Sequence, residues 1–220
     1  VGCSTSASVV ATDESPYCTE VVRYWPYYVS KIEAERLALK YCQNTNVELI
    51  CLRPTMMWGP GDDRYRSTKL ILSYLTRHIP FIPPGGVSWV DVRDAAIAFK
   101  RAMISGSPAG STYLLGARNC TTMQLFETLE KLSGVPRPSF AVPAWVAKTG
   151  ATVLDFVNRR VRNKYDPSVD PVRAEMGCHF WYISSKAAEK DLGFLPRDSS
   201  ATLTDTINFI RKNEKIISKL

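Results

Sequence analysis

The sequence has few of the residues that build metal, haem or disulfide sites. Its six cysteines never stand closer than nine residues apart, so it contains no Cys-x-x-Cys pair. The two histidines, His78 and His179, lie far apart in the sequence. This spacing argues against zinc or haem attachment and favours reduced thiols in a cytoplasmic protein, with no metal site.

Long apolar runs and strong charge blocks are also lacking. No run approaches the roughly 18 residues that cross a bilayer, so we expect no transmembrane segment. The formal net charge of +7 is modest, and the densest basic run, residues 158–164, has no interleaved aromatics. We therefore expect a solvated face there and no nucleic-acid partner. The chain opens without Met on "VGCSTSASVV", which predicts that an upstream part precedes it.

The first hundred residues show alternating strand and helix signals. A β-prone strand over 1–10 is followed by a helix that begins at Pro26, because proline suits the first helical position. Further strands are predicted over 47–54 and 85–92, with helices over 67–80 and from Asp94 onward. Alternation of this kind predicts a parallel sheet with crossover helices.

The second half changes character. A short strand over 111–117 precedes a helix capped by Thr121 or Thr122. Apolar or amphipathic helices are predicted over 144–161, 185–192 and 201–216. This part is expected to form a smaller mixed α/β domain.

Tyr27 and Lys31 are four residues apart in the first predicted helix, so their side chains share one face. A phenol is a poor acid or base at neutral pH, and a nearby ammonium favours the phenolate. The pair could therefore serve acid–base chemistry, with a hydroxyl from "CSTS" (3–6) donating to a substrate oxygen. The alternative is a surface stripe in which Glu35, one turn further on, holds Lys31 in a salt bridge.

The same Tyr-x-x-x-Lys pattern occurs twice more, at Tyr65–Lys69 and Tyr182–Lys186. Neither follows a strand that ends in hydroxyl residues. The first follows a loop, and the second spans a junction between strand and helix. We interpret both as structural.

Four stretches in this order, "STSASVV", "YYVSK", "LICLRPTMMWGPGDD" and "GGVSWVDVRDAAIAFKRAM", resemble the extended short-chain dehydrogenase/reductases. Within that group the chain is most similar to the dihydroflavonol reductase-like and 3β-hydroxysteroid dehydrogenase-like branch. The resemblance implies an α/β fold: the C-terminal part of a Rossmann-type parallel sheet with a smaller mixed substrate domain. The expected division is 1–105 and 106–220, with 63–83 contributing to the substrate domain.

The resemblance also implies site residues. Ser6 would bind the substrate oxygen, with Ser4 and Thr5 as rivals, and Tyr27 would be the general acid/base. Lys31 would favour the Tyr27 phenolate and hydrogen-bond the nicotinamide ribose. Pro54 and Thr55 match the turn that faces the nicotinamide ring, so the cofactor would be NAD or NADP. Asp91, Arg93 and Asp94 of "VDVRD" are interpreted as capping and packing residues.

Two departures from the family pattern narrow the interpretation. The Gly-rich turn that binds the pyrophosphate is absent, because "GPGDD" (59–63) follows the wrong strand. Ser6 is followed by Ala7 and Ser8, whereas sugar-nucleotide dehydratases carry Asp-Glu after this position, so dehydration is disfavoured.

The resemblance thus implies hydride transfer between NAD(P) and a secondary alcohol or ketone, with a small-molecule substrate; a homodimer remains open. The aromatics of the second half suggest an apolar, steroid-like or flavonoid-like substrate, although core packing explains them equally well (Phe140, Trp145, Phe156, Phe180, Trp181). A nucleotide-sugar epimerase is the alternative enzyme. The alternative from another class is a truncated non-catalytic module.

Overall fold

The chain folds into helices packed on two short sheets in the computed structural model, which describes residues 1–104, 110–160 and 170–213. The strands are β1 (Cys51–Pro54), β2 (Met56–Trp58), β3 (Gly86–Asp91), β4 (Thr112–Leu115) and β5 (Arg118–Thr121). The helices are α1 (Thr19–Val22), α2 (Pro26–Gln43), α3 (Lys69–Leu75), α4 (Val92–Ile104), α5 (Thr122–Ser133), α6 (Ala144–Arg160), α7 (Pro171–Met176), α8 (Lys186–Leu192) and α9 (Ser199–Asn213).

The strands form one parallel pair and one mixed sheet. β1 runs parallel to β4, whereas β3 lies between β2, to which it is parallel, and β5, to which it is antiparallel. Thr55 alone separates β1 from β2, and its amide and hydroxyl donate to the carbonyl of Leu115 at 2.9 and 3.1 Å. The chain therefore leaves the parallel pair for the mixed sheet right beside the end of β4. The α/β class with a parallel sheet is confirmed.

Two main clusters of buried apolar residues hold these layers together. One lies among α3, α5 and α9 and contains the stacked rings of Trp58 and Trp89, whose centroids are 5.1 Å apart. The other joins α4 and α8 to β4, with Ala98, Leu115 and Phe194 at its centre. The predicted domain division at residue 105 falls in a segment outside the described residues, and it stays a prediction.

Asp91 and Asp94, at the junction of β3 and α4, anchor the second half of the chain. Asp91 is completely buried and accepts from the amide of Arg93 at 2.9 Å and from the hydroxyl of Thr202 at 3.0 Å. Asp94 accepts from Arg197 through both the amide and the guanidinium, at 2.8 to 3.0 Å. These contacts agree with the packing role predicted for "VDVRD".

The predicted strand over residues 1–10 is wrong. Only isolated bridges form there, from Ser4 to Phe180 and, just beyond, from Ala11 to Ile183. Between them the chain turns and is exposed, because serine hydroxyls accept from nearby amides: Ser4 from Ser6 at 3.1 Å and Ser6 from Ser8 at 3.3 Å. Local bonds of this kind compete with strand pairing.

Other predicted elements are confirmed within a few residues. α2 begins at Pro26, and Thr121 caps α5 in a capping box with Gln124. α4 begins at Val92, two residues before the predicted start, and α3 is shorter than predicted. The basic run 158–164 and the predicted ends of the helices at 161 and 216 lie largely outside the described residues. Within the described part, no helix is both long and apolar enough to span a bilayer.

Candidate active site

Helix α2 presents Tyr27 and Lys31 to solvent. Pro26 occupies the first helical turn, so Tyr27 sits at the start of the helix and Lys31 one turn later. The Tyr27 side chain is exposed (65%), and the Lys31 ammonium lies 5.7 Å from the centroid of its ring. An acid–base pair needs both groups accessible to a substrate, and this arrangement provides that access.

Tyr28 anchors the start of α2 while Tyr27 points outward. The Tyr28 ring stacks on Trp181 at 5.2 Å and meets the buried Trp25 edge-on at 5.7 Å. Burial raises the pKa of the Tyr28 phenol to about 12. Tyr28 therefore serves packing, and of these two neighbouring phenols it is Tyr27 that is available for chemistry.

Ser6 lies in the exposed segment after Ser4. Its hydroxyl is 2.8 Å from the hydroxyl of Ser8, so it is held by local contacts. Among the described contacts, no hydrogen bond joins Ser6 to Tyr27 or Lys31. The structure thus brings Tyr27 and Lys31 together and leaves Ser6 as a separate, exposed hydroxyl.

Pro54 and Thr55 lie at the carboxyl end of β1, and both are half-buried. The Thr55 amide and hydroxyl already bind Leu115, as described above. These two residues can still contact a ligand through their surface. They lie at the carboxyl ends of the parallel strands β1 and β4, the usual place for ligands in such sheets.

Glu35 does not pair with Lys31, so the salt bridge considered as the alternative is wrong. The Glu35 carboxylate binds the Arg53 guanidinium in a fork, with Nε at 3.2 and 3.1 Å from its two oxygens and Nη2 also in contact. Tyr17 donates its hydroxyl to the same carboxylate at 3.0 Å. Burial alone would raise the pKa of Glu35, but the hydrogen bonds and charge of Arg53 lower it below its ordinary value.

Sequence reasoning missed this cluster of Tyr17, Glu35 and Arg53. The three residues are 18 positions apart at each step, from a loop, a helix and a strand. A signal did exist, since an arginine next to Pro54 in an apolar strand needs an acidic partner when it is partly buried.

The other two tyrosine–lysine pairs are placed differently. Tyr65 has a positive φ of 48° and packs on the first core cluster, whereas Lys69 opens α3. Tyr182 is buried and meets Phe180 edge-on at 5.5 Å, before Lys186 opens α8. In each pair the lysine begins a helix that does not include the tyrosine, which agrees with the structural interpretation.

The sequence profile of the NAD dependent epimerase/dehydratase family matches residues 2–116, just over half of the chain. The chain belongs to this family. The matched region contains all of the candidate site residues, from Ser6 to Thr55.

Relatives within the family agree with the branch predicted above. A putative dihydroflavonol 4-reductase of Synechocystis sp. is 28% identical over 191 residues, covering 85% of this chain and 55% of the relative. Sterol demethylase protein B of Methylococcus capsulatus is 25% identical, covering 77% of this chain and 52% of the relative. The crystal structure of gox2253 superposes with a TM-score of 0.77 at 26% identity, covering 96% of this chain and 63% of that one. The chain spans about half the length of the curated relatives it matches.

The "GPGDD" loop does not offer the phosphate cradle of NAD-dependent enzymes. Asp62 already accepts from the amides of Arg66, Ser67 and Thr68, at 2.9 to 3.1 Å, and from the Thr68 hydroxyl at 3.0 Å. Those hydrogen bonds lower the pKa of Asp62, although burial alone would raise it. A loop organised around its own carboxylate repels a phosphate.

Three of the five aromatic residues proposed to contact an apolar substrate are exposed and do not belong to the core. Phe140 and Trp145 are each 71% exposed and Phe156 is 61% exposed, whereas Phe180 and Trp181 are half-buried. Trp181 instead supports Tyr28. Two cavities in the described part, one beside residues 116–119 and 183–186 and one beside residues 136–139, include none of the five in their walls.

Burial makes two of the cysteines, Cys3 and Cys120, unsuited to nucleophilic chemistry. All six thiols are free, and burial raises the pKa of Cys3 to about 12 and that of Cys120 to about 11. Thiols with raised pKa values are poor nucleophiles. Neither Cys3 nor Cys120 is therefore a candidate nucleophile.

Proposed function

We propose that the protein containing this chain is an oxidoreductase that transfers a hydride between NAD(P) and a secondary alcohol or ketone. The observation that carries the proposal is the exposed Tyr27–Lys31 pair on α2. Glu35, the nearby carboxylate, binds Arg53 and does not pair with Lys31. Family membership makes nicotinamide chemistry the natural setting for such a pair. Because the chain spans about half of its relatives, the activity is proposed for the whole protein.

Each proposed site residue has one task. In alcohol oxidation the Tyr27 phenolate takes the proton from the substrate hydroxyl, and in ketone reduction the phenol returns it to the oxygen. The Lys31 ammonium stabilises the phenolate, and Ser6 donates a hydrogen bond to the substrate oxygen where charge develops. When bound, the nicotinamide ring accepts or supplies the hydride.

The donor set fits the nicotinamide end of the cofactor. Lys31 would hydrogen-bond the ribose hydroxyls, and Pro54 and Thr55, at the break between β1 and β2, would face the nicotinamide ring at the strand ends. The loop around Asp62 provides no comparable site for the pyrophosphate, since the amides of residues 66–68 already donate to Asp62. NAD and NADP are both compatible with this set.

The substrate proposed is apolar and steroid-like or flavonoid-like. The support comes from the relatives, one named as a dihydroflavonol reductase and another as a sterol demethylase protein. The division into a nucleotide-binding part (1–105, with 63–83 joining the other part) and a substrate part (106–220) belongs to the same proposal.

Two other functions remain alternatives: a nucleotide-sugar epimerase, which would share the tyrosine and lysine, and a non-catalytic module. Turnover separates the three. The full-length protein is incubated with NAD⁺ or NADP⁺ and a panel of sterol and flavonoid alcohols, while the nicotinamide absorbance is followed. We expect net reduction of the cofactor with at least one apolar alcohol. Epimerisation of a nucleotide sugar without net cofactor reduction, or no turnover with either class, would overturn the proposal.

A further inference from the structure

Helix α2 carries three functional groups on successive turns of one face. Tyr27, Lys31 and Glu35 are each four residues apart, so the Lys31 ammonium is within reach of the phenol on one side and the carboxylate on the other. A carboxylate is the stronger partner for an ammonium. Without a competitor, Glu35 would draw Lys31 away from Tyr27.

Arg53 is that competitor. Its guanidinium, which comes from β1, grips the Glu35 carboxylate with two nitrogens. Both side chains are largely shielded, with 19% of Arg53 and 18% of Glu35 exposed. Tyr17 covers the pair, since its ring lies 5.2 Å from the Arg53 guanidinium and its hydroxyl binds Glu35 at 3.0 Å.

The Lys31 ammonium is left for Tyr27. Within residues 1–104, 110–160 and 170–213 no carboxylate lies within ion-pair distance of Lys31, and its recorded neighbour is the Tyr27 ring. Arg36, next to Glu35 in sequence, pairs instead with Glu33 at 2.7 Å on the exposed side of the helix. The carboxylates of Glu33 and Glu35 thus pair with Arg36 and Arg53, and neither pairs with Lys31.

We propose that Arg53 is a positioning residue, which keeps Lys31 available to Tyr27 by occupying Glu35. Arginine suits this task better than lysine, because its planar fork satisfies both carboxylate oxygens at once. The pairing of Glu35 with Arg53 in place of Lys31 follows from the geometry alone. Its importance for turnover rests on the proposed function.

The test measures the reactivity of Lys31 in the 220-residue chain. Acetic anhydride is added at mildly alkaline pH, and the modification rate of each lysine is followed by mass spectrometry, with exposed Lys69 as internal reference. In Arg53→Met the released Glu35 should capture Lys31. Because an ion-paired ammonium gives up its proton less readily, the Lys31 rate should fall by about 1.4- to 2.3-fold, the effect expected of a helical ion pair at this spacing.

A second substitution distinguishes positioning from a merely structural role. Arg53→Met/Glu35→Gln removes the carboxylate as well as the arginine, so the Lys31 rate should return to the wild-type value. Glu33→Gln is the matched control, since it breaks the neighbouring Glu33–Arg36 pair on the same helix and should leave Lys31 unchanged; Arg36 itself is kept because its guanidinium lies over the Tyr17 ring at 5.4 Å. Glu35→Gln alone should also leave it unchanged.

An unchanged Lys31 rate in Arg53→Met, or a rate that the second substitution does not restore, would overturn the proposal. Loss of folding would be recognised by a joint rise of the Lys31 and Lys69 rates. In that case Arg53→Lys, which keeps the positive charge and loses the two-point contact, is tested instead. The Lys31 modification rate should fall less than is expected for Arg53→Met, and adding Glu35→Gln should restore it. The labelling result does not depend on catalysis. If the labelling prediction fails, the proposed function is unaffected. If the turnover assay fails, the proposal that Arg53 keeps Glu35 from Lys31 is unaffected.

Discussion

Replacing Asp91 with alanine should lower the free energy of unfolding by about 3 kcal/mol, as expected for removal of one partner from a buried ion pair. Asp91 is fully buried and binds Arg93 through its backbone amide and guanidinium, at 2.7 to 2.9 Å, and the Thr202 hydroxyl at 3.0 Å. The Arg93 guanidinium keeps Asp205 as a partner at 2.7 Å, and 37% of its side chain is exposed to water. The expected loss therefore lies at the lower end of the range for buried pairs.

Urea unfolding of the wild type and of Asp91→Ala measures this loss as a shift in midpoint at constant slope. Asp205→Ala is the matched control, because Asp205 binds the same Arg93 at 2.7 Å from a position that is 44% exposed. An exposed pair of this kind should contribute less than about 1 kcal/mol. Equal losses in the two variants, or a loss below about 1 kcal/mol for Asp91→Ala, would refute the reasoning.

The pH dependence gives the sign of the same effect. Burial alone would raise the pKa of Asp91, but hydrogen bonds from Arg93 and Thr202 lower it below its ordinary value. The unfolded carboxyl has a pKa of about 3.9, so the stabilisation is fully present above that pH and is lost as the pH falls through the lower folded pKa. The gap between wild type and variant should therefore narrow in acid, and a gap that widens there would contradict the assignment.

Two further predictions concern the cofactor and the choice of site. The 220-residue chain alone should bind nicotinamide dinucleotide very weakly in isothermal titration, because its sequence lacks the Gly-rich turn that leads into a helix and binds the phosphates; micromolar affinity would show that another segment binds them. In the full-length enzyme, Lys31→Ala should weaken cofactor binding and turnover together, whereas Lys69→Ala and Lys186→Ala should leave both nearly unchanged. A loss in either control as large as that in Lys31→Ala would mean that the wrong tyrosine–lysine pair was chosen.

Features that depend on local chemistry were predictable from the sequence. Pro26 marks the start of α2 because its ring suits the first helical turn. Thr121 caps α5 because a threonine with Gln124 three residues later satisfies two backbone amides. The spacing of Tyr27 and Lys31 correctly places both on one helical face.

Features that depend on distant partners were not predictable. The strand expected over residues 1–10 does not form, because Ser4 and Ser6 satisfy nearby amides with their own hydroxyls. The Lys31–Glu35 pair considered as the alternative does not form, because Arg53, 18 residues beyond Glu35, binds the Glu35 carboxylate at two points from a strand. Spacing along a helix predicts which side chains can pair. Whether a residue from another element binds one of them instead, as Arg53 binds Glu35, depends on the fold.

The turnover of Tyr27→Phe in the full-length enzyme tests the central claim most directly. This change removes one hydroxyl and keeps the ring, and Tyr28→Phe is its matched control on the next residue, where the phenol serves packing. If Tyr27 moves the proton, turnover should fall at least about 100-fold while cofactor affinity is nearly unchanged, and Tyr28→Phe should keep most of the activity. Retention of more than about a tenth of the rate in Tyr27→Phe would remove this residue from the acid–base role.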